Sequence, residues 1–243
     1  MQGEAGGSCD TALYGVELWG ALAYSSNPHS IAQASQNNNL GSKHAMNPLN
    51  NHRQTLILGI VIALIIAAAI GGFQINWPGV ARWLHIVAGV FWIGLLYYFN
   101  VAQTPALADA AADKGGPGGA GITKYVAPRA LFWFRWGAVV TWLGGAWLLR
   151  DNFVRAFTFG AGVDDPTHYF LVIGIGAWLG TIMLFNVWVL IWPNQKKILG
   201  IVAATDEQKA KARKVAALAS RTNFLLSIPM LMCMASASHG LPL

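Results

Sequence analysis

The sequence is poor in charge. Only 11% of its 243 residues are charged, whereas an ordinary soluble domain carries about 25%. An apolar share of 55% and a mean hydropathy of +0.45 exclude a disordered chain and argue against a soluble enzyme. Its cysteines, Cys9 and Cys233, lie far apart, which excludes a disulfide framework and a zinc knuckle.

Several catalytic motifs are also missing. The chain has no CxxCH motif for covalent attachment of a c-type haem, and no P-loop, GxSxG or HExxH motif. It therefore offers no complete active site. All ten acidic residues lie outside the long apolar runs, and none occurs between Glu17 and Asp109. A proton-coupled transporter usually needs an ionisable relay inside the membrane, so this class is disfavoured.

What the sequence does have is long apolar runs. A membrane span needs about 20 apolar residues at a rise of about 1.5 Å per residue. Such runs must be helical in lipid, because every backbone polar group needs an internal partner. The sequence therefore predicts an all-α integral membrane bundle of five transmembrane helices in one domain over residues 54–243. The five runs are residues 55–73, 80–101, 131–149, 169–192 (closed by Pro193) and 223–238.

Residues 1–53 differ in composition. The stretch at 26–51 is rich in Asn, Ser and Gln and predicts a flexible polar tail. Residues 11–24 are moderately apolar but contain Glu17, which favours a short interfacial or partner-binding helix over a span. Because the first strongly apolar run starts after residue 53, we expect a retained anchor and no secretory signal peptide.

The basic residues predict the orientation. A net charge of +6 could indicate nucleic acid, but these residues lie in loops between apolar runs, so no nucleic-acid partner is expected. The positive-inside rule places the N-terminus in the cytoplasm and the C-terminus outside, as in a bacterial inner (cytoplasmic) membrane. The predicted inner side carries Lys43, Arg53, Lys114, Lys124, Arg129, Arg135, Lys196, Lys197, Lys209, Lys211, Arg213, Lys214 and Arg221, and the outer side carries Arg82, Arg150 and Arg155.

Histidine is the remaining residue type with chemistry to offer. In the predicted orientation His85, His168 and His239 all fall towards the outer face. Two imidazoles from different helices at one depth can ligate a haem iron, so we predict haem b bound by His85 and His239. Gly89 and Trp92 share a helical stripe with His85 and are predicted to line the cofactor.

The sequence leaves alternatives open at this site. A membrane histidine can simply hydrogen-bond a neighbouring helix. The methionines Met230, Met232 and Met234 are alternative iron ligands that would raise the reduction potential. His168 is predicted to be a surface or interface residue, with metal binding beside Asp164 and Asp165 as its alternative.

Other polar and small residues predict helix packing. Asn100 and Asn186 are expected to make interhelical hydrogen bonds. Small residues are expected to let helices approach closely in two stripes. These are Gly137, Thr141 and Gly144 in the third run, and Gly176 and Gly180 in the fourth.

Three strings carry a family resemblance. Residues 84–94 read LHIVAGVFWIG, residues 186–195 read NVWVLIWPNQ, and residues 220–240 run from SRTN through SIPM to SHG. Together they resemble the membrane domain, of the urate oxidase N-terminal type, of membrane-bound cytochrome-c-coupled urate oxidase (urate hydroxylase). The resemblance covers about residues 54–240. The chain looks like a short form of that enzyme without its cytochrome c domain.

This resemblance implies an electron-transfer role as an oxidoreductase component, with urate as the implied substrate. Other membrane polypeptides of a complex and a separate cytochrome c are the implied partners, besides the lipid bilayer. The alternative is a non-catalytic accessory subunit of a larger respiratory or photosynthetic membrane complex. In that case the histidines serve packing, and the apolar surface contacts lipid, pigment or partner helices.

Overall fold

The computed structural model describes residues 47–242. These residues form helices joined by short connections, and none of them is in a strand. The all-α prediction is therefore confirmed for this part of the chain. The short helix predicted at 11–24 lies outside the described residues. Two compact units divide at Phe73 and Gln74.

The first unit contributes helix α1, His52–Gly71, after a 3-10 turn at Pro48–Asn50. The side chain of Asn51 accepts a hydrogen bond from the backbone N–H of Arg53 and caps the helix, which explains its start ahead of the predicted residue 55. Gly72 ends the helix with a positive φ of 74°, which glycine adopts readily. None of the residues of α1 is buried.

The second unit is a helical bundle. Its first helix begins where the Asn76 side chain accepts from the N–H of Gly79. In chain order its α-helices are α2 (Trp77–Tyr97), α3 (Thr104–Ala112), α4 (Ala127–Leu149), α5 (Phe153–Phe157), α6 (Tyr169–Phe185), α7 (Trp192–Ile198) and α8 (Asp206–Ser236).

Among residues 47–242, wide π-helical turns interrupt or precede the α-helices at three places. They are Tyr98–Gln103 between α2 and α3, Ile122–Val126 before α4, and Asn186–Ile191 between α6 and α7. Each turn ends two residues before a proline, at Pro105, Pro128 and Pro193. A proline has no N–H and its ring clashes with the carbonyl of residue i−4, so a widened turn lets the helix continue past it. Pro193 therefore does not close the fourth run as predicted, and the helix runs on to Ile198.

Helix α8 is much longer than predicted. The sequence placed its start at residue 223, but it begins at Asp206. A capping box starts it there: the Thr205 hydroxyl accepts from the N–H of Gln208, and the Gln208 side chain accepts from the N–H of Thr205. The helix ends at Ser236, so His239 follows the helix and does not belong to it.

Four helical stretches among the described residues are long and apolar enough to cross a membrane. They correspond to the first, second, fourth and fifth predicted runs. The third run became α4, a helix of 23 residues that is not among the four. Arg129, Arg135 and several tryptophans and glycines lower its hydropathy. Five crossings therefore stay a prediction.

Glycines set the spacing of two helix pairs in the second unit. A Cβ built on Gly137 of α4 would lie 3.2 Å from the backbone nitrogen of Trp92 in α2. A Cβ on Gly176 of α6 would lie 3.1 Å from the Cβ of Cys233 in α8. Close packing by small residues is thus confirmed for both pairs, although Gly180 has no neighbouring atom within 4 Å.

Candidate functional site

His85 lies on the face of α2 that packs against α4. Its Nδ1 is 2.7 Å from the carbonyl oxygen of Thr141. A carbonyl oxygen can only accept a hydrogen bond, so Nδ1 carries the proton and its N–H donates to this oxygen. The neutral ring then has its lone pair on Nε2. This hydrogen bond fixes both the tautomer and the orientation of the imidazole, as is usual for histidines that bind a metal.

Two glycines of α4 form the wall against which His85 rests. A Cβ on Gly144 would lie 3.2 Å from the His85 Cα, and one on Gly145 would lie 3.0 Å from the ring atom Cε1. The ring can lie this close to α4 only because both positions lack a side chain. The sequence analysis identified Gly144 as a packing residue but missed Gly145. Two adjacent glycines within an apolar run were the pattern that could have indicated close packing at both positions.

Gly89 and Trp92 lie on α2 near His85, but they face the protein interior. A Cβ on Gly89 would lie 3.7 Å from the Thr141 side chain. Trp92 is only 2% exposed and belongs to the hydrophobic core with Met183 and Met230. Its indole Nε1 is buried and has no hydrogen-bond partner among the described residues. Packing is the role that the contacts of both residues support, and a cofactor contact stays a prediction.

His239 lies just beyond α8 and is exposed. Its backbone N–H donates to the carbonyl of Ser236 and closes the last turn. No hydrogen bond joins it to His85 in the described part of the chain. At this end α8 packs against α6, where Gly176 meets Cys233 and Met234, whereas His85 packs against α4. The pairing of the two histidines on one iron therefore stays a prediction.

The methionines of α8 differ in their surroundings. Met230 is buried in the core, Met232 is exposed, and Met234 is half-buried near Gly176. Met230 therefore offers its sulfur to the interior of the bundle, on the same side of α8 as Cys233, which is also buried. Helical spacing places Met230 and Met234 on one side of α8 and Met232 on another, but the sequence could not tell which side is buried.

His168 and Asp165 lie in the connection that leads into α6, and His168 directly precedes the first residue of the helix. His168 is exposed and has a positive φ of 56°. The carboxylate of Asp165 accepts from the backbone N–H groups of Tyr169 and Phe170, at 3.0 and 2.7 Å. Desolvation acts to raise the pKa of Asp165, but these bonds, the Thr167 hydroxyl and the nearby His168 outweigh it and hold the pKa below its ordinary value.

This geometry gives His168 the surface role that the sequence predicted. Among residues 47–242, no group of three or more His, Cys, Asp or Glu side chains lies close enough to hold a metal ion. Metal binding by His168 with Asp164 and Asp165 therefore has no support in the described residues, and the contacts of Asp165 are those of a helix cap.

Two side-chain hydrogen bonds join other helical segments of the second unit and are called here the polar seam. Asn100 donates to the hydroxyl of Ser220 at 3.0 Å, and Asn186 donates to the side-chain oxygen of Asn223 at 2.8 Å. Both predicted interhelical bonds are thus confirmed. Their partners were missed, although a lone polar residue in an apolar run, such as Asn223, is a usable signal.

The described helices and this buried seam define a bundle of the kind found in multi-pass membrane proteins. Residues 167–242 match the family model described as urate oxidase N-terminal. The match spans α6, α7 and α8 and confirms the resemblance over that part of the chain, while the string at 84–94 lies outside it. No curated protein and no solved structure was found to match the chain.

Proposed function

We propose that the chain is a haem-b-binding membrane protein that takes part in electron transfer and is related to the membrane part of a cytochrome-c-coupled urate oxidase. The observation that carries the proposal is the hydrogen bond from His85 Nδ1 to the Thr141 carbonyl. It holds the proton on Nδ1 and leaves Nε2 free as a ligand atom. The matched family model supports the relationship through residues 167–242.

The surroundings of His85 suit a histidine that serves as one of the two proposed ligands of the haem iron. The ring is held by a backbone carbonyl, which no side-chain motion can withdraw, and rests on Gly144 and Gly145. The proposed second ligand is His239, which is exposed beyond the end of α8. A bound haem supplies a one-electron redox centre. The chain's own part is to orient the His85 ring and to keep its proton at Nδ1.

The test is a reduced-minus-oxidised absorption spectrum of the purified chain and its variants. We expect a low-spin haem spectrum in the wild type. His85→Ala should abolish it or leave a five-coordinate species, and His239→Ala should do the same. His168→Ala is the matched control and should leave the spectrum unchanged. A wild-type chain without haem, or an unchanged spectrum in both variants, would contradict the proposal.

We also propose the orientation with the N-terminus in the cytoplasm, the C-terminus outside and five crossings of a bacterial inner membrane. Its support is the clustering of basic residues at one end of the bundle. Lys196 and Lys197 lie in α7 where it ends, and Lys209 and Lys211 lie in the first turns of α8. The positive-inside rule places such clusters of lysine on the cytoplasmic side of the membrane.

The second candidate function is that of an accessory subunit of a larger membrane complex. The favouring observation is the amount of apolar surface that the described helices expose, including Val90 at 68%, Leu225 at 68% and Ile228 at 58%. Lipid covers such surface in a monomer, and partner helices cover it in a complex. Copurification of other membrane polypeptides, lost on deletion of residues 1–50, would favour the complex and a docking role of the tail.

A further inference from the structure

Arg135 of α4 lies in a cage of aromatic rings. Its guanidinium carbon is 3.5 Å from the ring centroid of Trp192, 5.9 Å from that of Trp188 and 6.0 Å from that of Phe132. These rings attract the cation through their π faces. They cannot accept hydrogen bonds as a carboxylate or carbonyl does, so the donors of the guanidinium remain available.

The hydrogen-bonding groups of this cage have no partners in the described part of the chain. Arg135 Nε and Trp188 Nε1 are buried without one, and no Arg135 nitrogen makes a hydrogen bond there. Nε is buried, but Arg135 as a whole is only half-buried, so part of the residue is open to the surroundings. The one ion pair among residues 47–242 joins Lys209 to Asp206. Arg135 therefore has no carboxylate partner in this part of the chain.

A second cation strengthens the local field. Lys196 Nζ lies 5.9 Å from the centroid of Trp192, the ring against which Arg135 packs. Two cations therefore flank one indole, and no carboxylate of the described chain lies within ion-pair distance of either. A charge left in a membrane without a partner is costly, so this arrangement calls for an anion from outside the chain.

An apolar groove continues from the cage along α4 and α6. It has a volume of about 330 Å³ and opens to the surroundings. Trp188 belongs both to the cage and to the groove, and Val139 lies one helical turn beyond Arg135 on the same face of α4. The groove residues are Val139, Trp142, Thr181, Leu184, Phe185 and Trp188.

The polar side-chain atoms of Trp142 and Thr181 in the groove are used internally. The indole N–H of Trp142 donates to the Thr181 hydroxyl at 2.9 Å, and this hydroxyl donates to the carbonyl of Ala177 at 2.8 Å. The groove therefore presents hydrocarbon to its occupant. A charged end at Arg135 and an apolar extension beyond it together match an amphiphile with an anionic head.

We propose that Arg135 and this groove form a specific site for one anionic phospholipid. The phosphate binds the guanidinium in a charge-assisted, two-pronged manner, with Lys196 adding to the field, and an acyl chain lies along the groove. A quinone head is neutral and would leave the cation uncompensated. A free phosphate would leave the groove without an occupant.

The experiment titrates the full-length chain in detergent with phosphatidylglycerol, or with phosphatidylcholine of the same acyl chains. Native mass spectrometry measures the retained lipid. We expect wild-type chain to retain phosphatidylglycerol preferentially. Arg135→Gln should weaken this retention about tenfold, because it removes charge-assisted hydrogen bonds. Arg135→Lys should weaken it less, and Arg129→Gln, near the start of the same helix, is the matched control and should not change it.

A groove variant keeps the proposal testable if Arg135→Gln does not fold. Val139→Trp fills the groove next to the cage and should also weaken phosphatidylglycerol retention while leaving Arg135 in place. Equal retention of both lipids by the wild type would overturn the proposal, as would unchanged selectivity in Arg135→Gln. Displacement of the lipid by equimolar ubiquinone, or by glycerol phosphate without acyl chains, would also overturn it.

Discussion

Asn186 and Asn223 form a hydrogen-bonded pair between the π-helical turn after α6 and the middle of α8. Asn186 Nδ2 donates to Asn223 Oδ1 at 2.8 Å, and Asn223 Nδ2 donates to the carbonyl of Met183 at 2.9 Å. Asn223 is fully buried. The second bond goes to a carbonyl beside the π-helical turn that also accepts from the backbone N–H of Asn186, so Asn223 ties α8 to the end of α6 by both its donor and its acceptor.

Asn223→Ala should therefore destabilise the bundle. It leaves the buried side-chain amide of Asn186 without its acceptor and removes one of the two hydrogen bonds to the Met183 carbonyl, which the backbone N–H of Asn186 also contacts, at a cost of about 1–3 kcal/mol. The measurement is the unfolding free energy in detergent. Thr222→Ala, an exposed neighbour, is the matched control. The double variant with Asn186→Ala should cost less than the sum of the single variants, and strict additivity would contradict the pairing.

Gly145→Ala tests the wall behind His85. The new Cβ would lie 3.0 Å from Cε1 and 3.2 Å from Nδ1 of the ring, so the imidazole has to move. We expect a loss of about 1–3 kcal/mol in stability and, in a haem-loaded chain, a shifted absorption spectrum with haem still bound. A Cβ on Gly94 of α2 has no atom within 4 Å, so Gly94→Ala should not lower the stability or shift the spectrum. Identical behaviour of the two variants would contradict the packing.

Gly176→Val tests the contact between α6 and α8. A Cβ there would lie 3.1 Å from the Cβ of Cys233 and 3.3 Å from the Cε of Met234, and a valine adds further methyl groups. We expect the two helices to be forced apart and stability to fall by about 1–3 kcal/mol. Gly180→Val, one turn further at a position with open space, is the control and should cost less. Thermal unfolding followed by tryptophan fluorescence measures both.

Asp165→Ala tests the cap of α6 and its pH dependence. The native pKa of Asp165 lies below its ordinary value, so the ionised carboxylate stabilises the fold above the ordinary pKa of about 4. This stabilisation is lost as the pH falls through the native pKa. The variant should therefore have a lower Tm than the wild type at pH 7, and the gap should narrow in acid. Asp164→Ala is the control, and a gap independent of pH down to 2 would contradict the cap.

Reporter fusions test the proposed orientation. A reporter that works only outside the cytoplasm should be active after Leu243 and inactive when inserted within residues 203–212. A cytoplasmic reporter should give the reverse pattern. The physical basis is the retention of basic residues on the inner side. Activity of the external reporter within residues 203–212 would invert the bundle and move His85 and His239 to the inner face.

Part of the candidate site was predictable from sequence because it depends on helical periodicity. Gly137, Thr141 and Gly144 recur on one face of an α-helix, and the structure places all three against α2. Asn100 and Asn186 needed partners in an apolar setting, and each has one on α8. In contrast, the Thr141 carbonyl that holds His85 is a backbone group, and no sequence pattern distinguishes it from other carbonyls.

The sequence by itself determined that this chain is helical and has apolar stretches able to cross a membrane, because composition and run length decide both. Only the tertiary structure decided which helices pair and where they bend. Prolines at Pro105, Pro128 and Pro193 lie just after widened turns and do not end the helices there, because the wider turn accommodates the proline ring and its missing N–H. The surroundings of Arg135 were also invisible in sequence, since Trp188 and Trp192 reach it from a different helix and depend on how α4 packs.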